Sequence, residues 1–551
     1  MPSAKRLKRN AHLPLQTLVA TASALLITAA PSLAADEFHL SNEFSQTYNS
    51  LTGPGKSQSA LTEGMRFLDI LNANGAGNLS DQWTYNFNLG LKATDDIKND
   101  AKRISLTNLN LKLSNKIHTL TLGDTYESFS QYSLNTSVKG GSYKYANDNG
   151  AVSEFTVLAG LAYPRWDNAF NIGYGITDAP ERLIYGARVR KDILEDVWLG
   201  ANVVAGRDMK RVYSTDMAYE QTLVYSFDVE YKPLPGLTIT GEAAYAYDKE
   251  TAQEGAASTT KHGSAYRVQA VGDQDPSRVV LEYERVSTDF FTLAGSATPD
   301  REKAKATWRY KATKNTTTNL GFLWFHDNLD GSKVQGTTNY YKPEAGITFK
   351  NFIGRRYASL GLTYKFDYST RQGDSVKSDN IFNTNYRDRY GFIDTDLNFG
   401  YIAYNTLQTA RSRNNEFTYN LTLSSRHSFD TLILSPSVYL GGWRSNNELA
   451  DTNDQIYEAS AGTGIDFPSL NISSNVRGGF NKLQKSAGDD TAKTFASANI
   501  NWRPTYLKQL MHVEQTMLYV RYAMNDLRFT TTATDRDYRE NSITAGFNFN
   551  F

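Results

Sequence analysis

From residue 83 to residue 551, apolar and polar residues alternate one by one in segment after segment. Trp83, Tyr85, Phe87, Leu89 and Leu91 are interleaved with Thr84, Asn86, Asn88 and Gly90. Leu223, Tyr225, Phe227, Val229 and Tyr231 are interleaved with Val224, Ser226, Asp228 and Glu230, and the pattern returns at 237–247, 358–368 and 543–551. Successive side chains of a strand point to opposite faces, so a period of two gives each segment one apolar and one polar face. A helix, with its period of 3.6, has no use for this pattern. The segments run to about 9–13 residues, the length a tilted strand needs to cross a bilayer.

The connections alternate as well. Short ones at 114–115, 147–150, 232–236, 272–276 and 467–469 carry the Pro, Gly, Asn and Asp of tight turns. Long polar ones fall near 206–220, 248–262, 287–301, 326–338, 369–386, 441–454 and 525–539. Short turns on one rim and long loops on the other are the asymmetry of a transmembrane β-barrel. The expected fold is all-β: a single large antiparallel barrel of about 22–24 strands, within a range of about 18–26, and even in number. Residues 384–404 read either as one long strand or as two split around 393–396. A soluble propeller or a set of sandwiches competes with it. Those folds need packed layers, which leaves no use for so many Tyr, Phe and Trp on the second face near strand ends.

The mean hydropathy of −0.50 excludes a bundle of membrane helices but suits strands with one polar face. The N-terminus reads as a secretory signal peptide over 1–34. Lys5, Arg6, Lys8 and Arg9 precede a nearly uncharged run from 13 to 30, and Ser32-Leu33-Ala34 follows as a cleavage site. Its removal leaves 54 basic against 58 acidic residues, a net −4, which disfavours a nucleic-acid partner. The chain has no cysteine, hence no disulfide framework, thiolate metal site, thioether-bound haem or lipidated cysteine. Residues 35–82 are expected to form a periplasmic or plug-like segment. A short helix is expected within it, because Leu61, Met65, Leu68 and Leu71 fall at spacings of 4, 3 and 3. The barrel is expected over 83–551.

The export signal and the terminal segment Asn541-Ser542-Ile543-Thr544-Ala545-Gly546-Phe547-Asn548-Phe549-Asn550-Phe551 together resemble Gram-negative outer-membrane β-barrels of the porin-like kind. The resemblance implies residence in the cell outer membrane, contact with its lipid, and insertion by the barrel-assembly machinery through Phe547, Phe549 and Phe551. It covers the architecture of 83–551 and singles out no subfamily. A TonB-dependent transporter is disfavoured, since only 48 residues lie between the cleavage site and residue 83, too few for a folded plug.

Charges fall on the polar faces. Arg182, Arg188 and Arg190 alternate with Leu183, Tyr185, Ala187 and Val189. Lys303, Lys305, Arg309 and Lys311 alternate with Ala304, Ala306, Trp308 and Tyr310. Asp228, Glu230, Glu242, Glu282 and Glu284 take the polar face of their own strands. A charge on the lipid face costs about 2–4 kcal/mol at the midplane, so these residues are pore-lining candidates. The acidic stretch 278–286 precedes the basic stretch 302–312. This reads either as a transverse field across a channel or as cross-strand ion pairs that stabilise the wall. Residues 123–135 break the rhythm with aromatics and acids. Asp124 and Glu127, with Arg165 further on, are candidates for an inward constriction loop; an ordinary external loop is the other reading.

The function expected of such a chain is an outer-membrane channel for hydrophilic solutes or a polymer, with no cofactor and no metal. The alternative is a wide sheath or export conduit for a protein partner in the periplasm or the lumen, a lipoprotein or a cytochrome. An outer-membrane hydrolase is a minor third reading. His39, His118, His262, His326, His427 and His512 form no close-spaced pair, and His118 is expected on the lumen wall.

Overall fold

The computed structural model describes residues 37–551 apart from 148–149, 164, 167–180, 210–218, 253–256, 409–410, 512 and 531–535. The expected signal peptide lies outside the described residues. Among the described residues the alternating segments become 26 antiparallel strands. In chain order they are β1 (Glu37–Thr52), β2 (Gly64–Asn78), β3 (Thr84–Thr94), β4 (Ile104–Ser114), β5 (His118–Ser130), β6 (Leu134–Ala146), β7 (Glu154–Leu161), β8 (Glu181–Leu194) and β9 (Val197–Met209). Next come β10 (Tyr219–Leu234), β11 (Leu237–Thr251), β12 (Ser258–Gln274), β13 (Ser277–Val286), β14 (Arg301–Lys311), β15 (Thr316–His326), β16 (Thr338–Lys350), β17 (Ser359–Arg371) and β18 (Asp374–Tyr390). The last are β19 (Ile393–Thr406), β20 (Ser412–Ser425, continued by His427–Ser428), β21 (Ile433–Asn447), β22 (Thr452–Phe467), β23 (Ile472–Gln484), β24 (Thr491–Trp502), β25 (Gln515–Phe529) and β26 (Tyr538–Asn550).

Each strand pairs with its sequence neighbours, and β26 pairs with β1, which closes the sheet. At this seam Phe44 lies opposite Phe547 and Tyr48 opposite Ile543. Leu40 and Phe551 exchange backbone hydrogen bonds at 3.1 and 2.8 Å. Closure leaves no unpaired sheet edge, which is how a strand wall becomes tolerable in lipid. The outer face carries exposed apolar side chains in register, such as Tyr185, Val203, Tyr225 and Tyr245, with Phe227 67% exposed. With strands about 4.8 Å apart and tilted by about 40°, a circular section would measure about 50 Å across the backbone.

Three readings need correction. Residues 37–52 and 64–78 are barrel strands and not a periplasmic or plug-like segment, which brings the count to 26, even and at the upper end of the expected range of 18–26. Among the described residues of this segment only Lys56–Gln58 make a helical turn, in the loop between β1 and β2. The alternation of β2 runs through Phe67, Asp69, Leu71 and Ala73. Asp69 disguises it, because an acid occupies an outer-face position where the Asn42 amide, 2.6 Å away, satisfies it. Second, 369–386 and 441–454 are not long loops. Strands β17 and β18 run on to the two-residue turn Gln372-Gly373, and β21 and β22 to residues 448–451. Above the membrane both faces are wetted, so the hydropathy alternation stops before the strand does. The stretch 384–404 resolves into β18 and β19, joined at 391–392. Third, His118 stands on the outer face with Leu120 and Leu122, not in the lumen. Its Nδ1 lies 2.8 Å from the Tyr143 hydroxyl, and its ring stacks beside Trp83 and Tyr143. Ile117 belongs to the preceding turn, so it does not set the parity of the strand.

Candidate functional site

One hairpin leaves the wall. Strands β4 and β5 pair only from Asn110 opposite Gly123 to Ser114 opposite Thr119. Strands β6 and β7 pair only from Lys139 opposite Leu161 to Ala146 opposite Glu154. Above that level β5 and β6 stay paired with each other, up to Ser130 opposite Leu134. The fold line is a row of glycines, with Gly123 opposite Gly140 and Gly140 opposite Gly160. Gly123 has φ +102°, and a Cβ there would sit 2.0 Å from the Leu109 carbonyl oxygen. At Gly140 one would sit 2.1 Å from the Ala159 oxygen. Glycine permits both the positive φ and this close backbone approach.

The free half of the hairpin, 124–138, extends about 23 Å at about 3.3 Å per residue. It lies along the inner face of β7–β9 and ends on β10–β13. Phe129, Leu134 and Val138 pack on Leu158, Ile184 and Val204. At the tip, Tyr132 is fully buried among Val224, Ala246, Ala265 and Val286. Two lumen acids receive the tip. The backbone N–H groups of Gln131 and Tyr132 donate to Glu242 at 3.0 and 2.9 Å, and the Tyr132 hydroxyl donates to Glu284 at 3.0 Å. Residues 287–300, between β13 and β14, fold in behind it. Phe290 meets the Tyr132 ring edge-on at 5.7 Å, the Ser296 N–H donates to the Gln131 carbonyl, and the Asn135 N–H to the Ala294 carbonyl. Burying an aliphatic or aromatic side chain contributes about 1.5–3 kcal/mol, against about 0.5–1.5 for a hydrogen bond. Apolar packing therefore holds the hairpin, and the polar contacts set its register.

The departing hairpin is anchored at the fold line. Asp124 accepts from the Leu109 N–H at 2.7 Å, from Lys139 at 2.6 Å and from the Trp166 indole at 2.7 Å. Arg165 reaches from the segment after β7 to Asp100, on the loop between β3 and β4, at 3.0 Å to each oxygen, and also meets Ser105. These contacts strap β7 to β3–β4 across the level where β5 and β6 turn inward. Burial alone would raise the Asp100 pKa. The Arg165 guanidinium, the Lys102 N–H and the Ser105 hydroxyl together hold it below the usual carboxylate value. A depressed pKa stabilises the strap fully above the unfolded value of about 3.9, and that stabilisation is lost as pH falls through the folded value. Backbone protection over 97–106, taken relative to the intrinsic exchange rate at each pH, is expected to fall on acidification from pH 7 to about 3, and at pH 7 in Asp100→Asn. Unchanged exchange in the variant would remove the role given to this ion pair.

The pore-lining candidates stand on the inner face, and most are paired. Arg188 meets Asp228 at 2.7 Å, with both side chains nearly buried. Arg182 meets Asp208, Arg190 meets Asp192, Glu230 meets Lys232, and Lys311 meets Asp275. Glu282 takes Arg267 at 2.9 Å and Lys303 at 2.7 Å; Lys303 also meets Glu284. The acidic strand β13 and the basic strand β14 are thus cross-linked by ion pairs. Lys305 and Arg309 are exposed, with no carboxylate within 4 Å among the described residues. Of the constriction candidates, Asp124 and Arg165 meet at the fold line through Trp166, while Glu127 accepts from Ser142 on the hairpin's wall side. Tyr132, one of the aromatics of the 123–135 stretch, seats the hairpin together with Gln131, which no pattern in the sequence singles out. Phe547 and Phe549 stack at 4.6 Å, and Phe547 also lies beside Phe44 across the seam.

No protein-family model and no curated protein matches the sequence. Among solved structures, the chain is similar to the siderophore receptor PirA of Pseudomonas aeruginosa, at 11% identity over 94% of this chain and 80% of that one, with a TM-score of 0.42. It is similar to the outer membrane transporter YddB of Escherichia coli, at 8% identity over 94% and 81%, with a TM-score of 0.43. It is also similar to the P pilus usher (PapC) translocation pore, at 12% identity over 93% and 99%, with a TM-score of 0.36. The fold assignment itself rests on the strand pairing described above.

Proposed function

We propose that the chain is an outer-membrane channel that passes hydrophilic solutes, with the β5–β6 hairpin as its internal constriction. The observation that carries this reading is a hairpin folded inward at a glycine row and latched onto Glu242 and Glu284 inside a closed, charge-lined barrel. An external loop needs no such seat. The exposed apolar outer face and the closed hydrogen bonding are what a lipid environment demands of strands. Ion pairs on β8–β14 keep the inner wall polar without a large net charge, which suits water-borne solutes better than a strongly charge-selective filter. Purified protein in planar bilayers is expected to give stepwise conductance. A silent barrel that is nevertheless folded and inserted would refute the channel.

A second reading, a sheath around a protein partner, is favoured by one quantity. A wall about 50 Å across at the backbone leaves much of the lumen beyond a hairpin of about 23 Å. Its mark is a stoichiometric partner that co-purifies with the native barrel and suppresses the conductance.

A further inference from the structure

On the side of the lumen away from the hairpin, the wall of β21–β25 holds a recess of about 450 Å³. Its layout follows from strand register. Tyr439, Ser460, Gly479 and Phe495 stand side by side across β21–β24, and Glu458, Asn481 and Lys493 form the row above them, toward the long-loop rim. Gly479 creates the hollow: a Cβ there would lie 2.6 Å from the Ser460 Cβ and 2.9 Å from the Phe495 ring. Arg477 donates to the Ser460 hydroxyl at 3.0 Å, with its guanidinium 5.7 Å from the Phe495 ring centre. Glu458 is occupied by the Tyr439 hydroxyl at 3.2 Å and by the Asn481 amide.

The charges here differ from those across the lumen. On β8–β14 most cations meet a carboxylate, as Arg188 meets Asp228 and Lys303 meets Glu282. In the recess both Arg477 and Lys493 are exposed, and neither has a carboxylate within 4 Å among the described residues. Two cations with spare donors thus line one recess with two aromatic rings, Arg477 lying beside the Phe495 ring, together with an amide and a hydroxyl. Aromatic faces accept the C–H face of a pyranose, paired donors accept an acid group, and hydroxyl and amide groups read sugar hydroxyls.

We propose that this recess binds an anionic saccharide, its acid group held by Arg477 and Lys493 and its ring laid against Phe495 and Tyr439. This names the solute class of the channel and rests on that reading. The probe is galacturonate, with galactose and acetate as controls. Binding is measured by titration calorimetry on the detergent-purified full-length barrel, with its folded state checked by heat-modifiable migration. Galacturonate is expected to bind at least tenfold more tightly than either control. Arg477→Gln with Lys493→Gln is expected to weaken it more than tenfold, and Phe495→Leu severalfold. Lys305→Gln, on the opposite wall, should leave it unchanged. Equal binding of acetate would reduce the recess to a plain anion site, and equal binding of galactose would remove the role of charge. Equal weakening by Lys305→Gln would point to a diffuse field. Each of these outcomes overturns the proposal. Absence of binding in a barrel that still conducts sinks the recess alone, whereas absence of conductance sinks the channel.

Discussion

Excising residues 125–138 and joining Asp124 to Lys139 through Asn-Gly is expected to raise single-channel conductance severalfold. Asp124 and Lys139 already face each other across β5 and β6 and are ion-paired at 2.6 Å, so a two-residue turn fits there. The crease, the strap through Arg165 and Trp166, and the lower halves of both strands all remain. What disappears is the only segment of the two strands that enters the lumen. The deletion uncovers Ile184, Val204 and Val224, which are now almost completely shielded from water. Removing cover at about 25 cal/mol per Å² of apolar surface lowers stability, but a closed 26-strand hoop has hydrogen bonding to spare elsewhere. A folded, inserted variant with wild-type conductance would show that the hairpin does not limit the path.

Tyr132→Ala tests the seat without shortening the chain. The ring is fully buried against Phe290 and the inner wall, and its hydroxyl bonds Glu284, itself 1% exposed. Truncating a buried aromatic costs about 3–5 kcal/mol, and leaving a buried carboxylate short of a donor adds about 1–3. A loss of 3 kcal/mol multiplies local opening more than a hundredfold, since each 1.4 kcal/mol is tenfold. Amide exchange over 124–138 is therefore expected to accelerate by two orders of magnitude or more, with exchange in β15–β26 unchanged. Accelerated exchange throughout would assign Tyr132 to global stability instead, and an unchanged hairpin would place its anchorage wholly in Phe129, Leu134 and Val138.

The wall was legible because lipid and water impose opposite demands on alternate residues, as between Tyr225 and Ser226 or between Trp308 and Arg309. It faded where that contrast fades. Asp69 hides β2, and the polar strand tips at 369–386 pass for loops. At His118 one turn residue inverts the parity. The inward turn of 123–135 left a local trace in its aromatics and acids, and Gly140-Gly141 lies opposite Leu122 and Gly123 as a second trace. The seat left none. Gln131 and Tyr132 meet Glu242 and Glu284 from more than a hundred residues away, and nothing in the spacing of either segment encodes that meeting. Glu242, Glu282 and Glu284 were readable as inner-face acids, but which of them holds a wall cation and which a hairpin amide depends on the closed shape.

The seam carries a kinetic consequence. Thr47 and Thr544 bond at 2.9 Å across it from 497 positions apart. Bringing such distant segments together from a flexible chain costs about 5–6 kcal/mol of loop entropy beyond the constant term. Every other strand pairing in the wall joins neighbours in sequence and closes cheaply. The hoop should therefore grow hairpin by hairpin as a curved open sheet and snap shut last, with β1 and β26 waiting as two adhesive edges until it does. The time spent in that state, more than the depth of the finished well, would set how often a molecule is lost to aggregation.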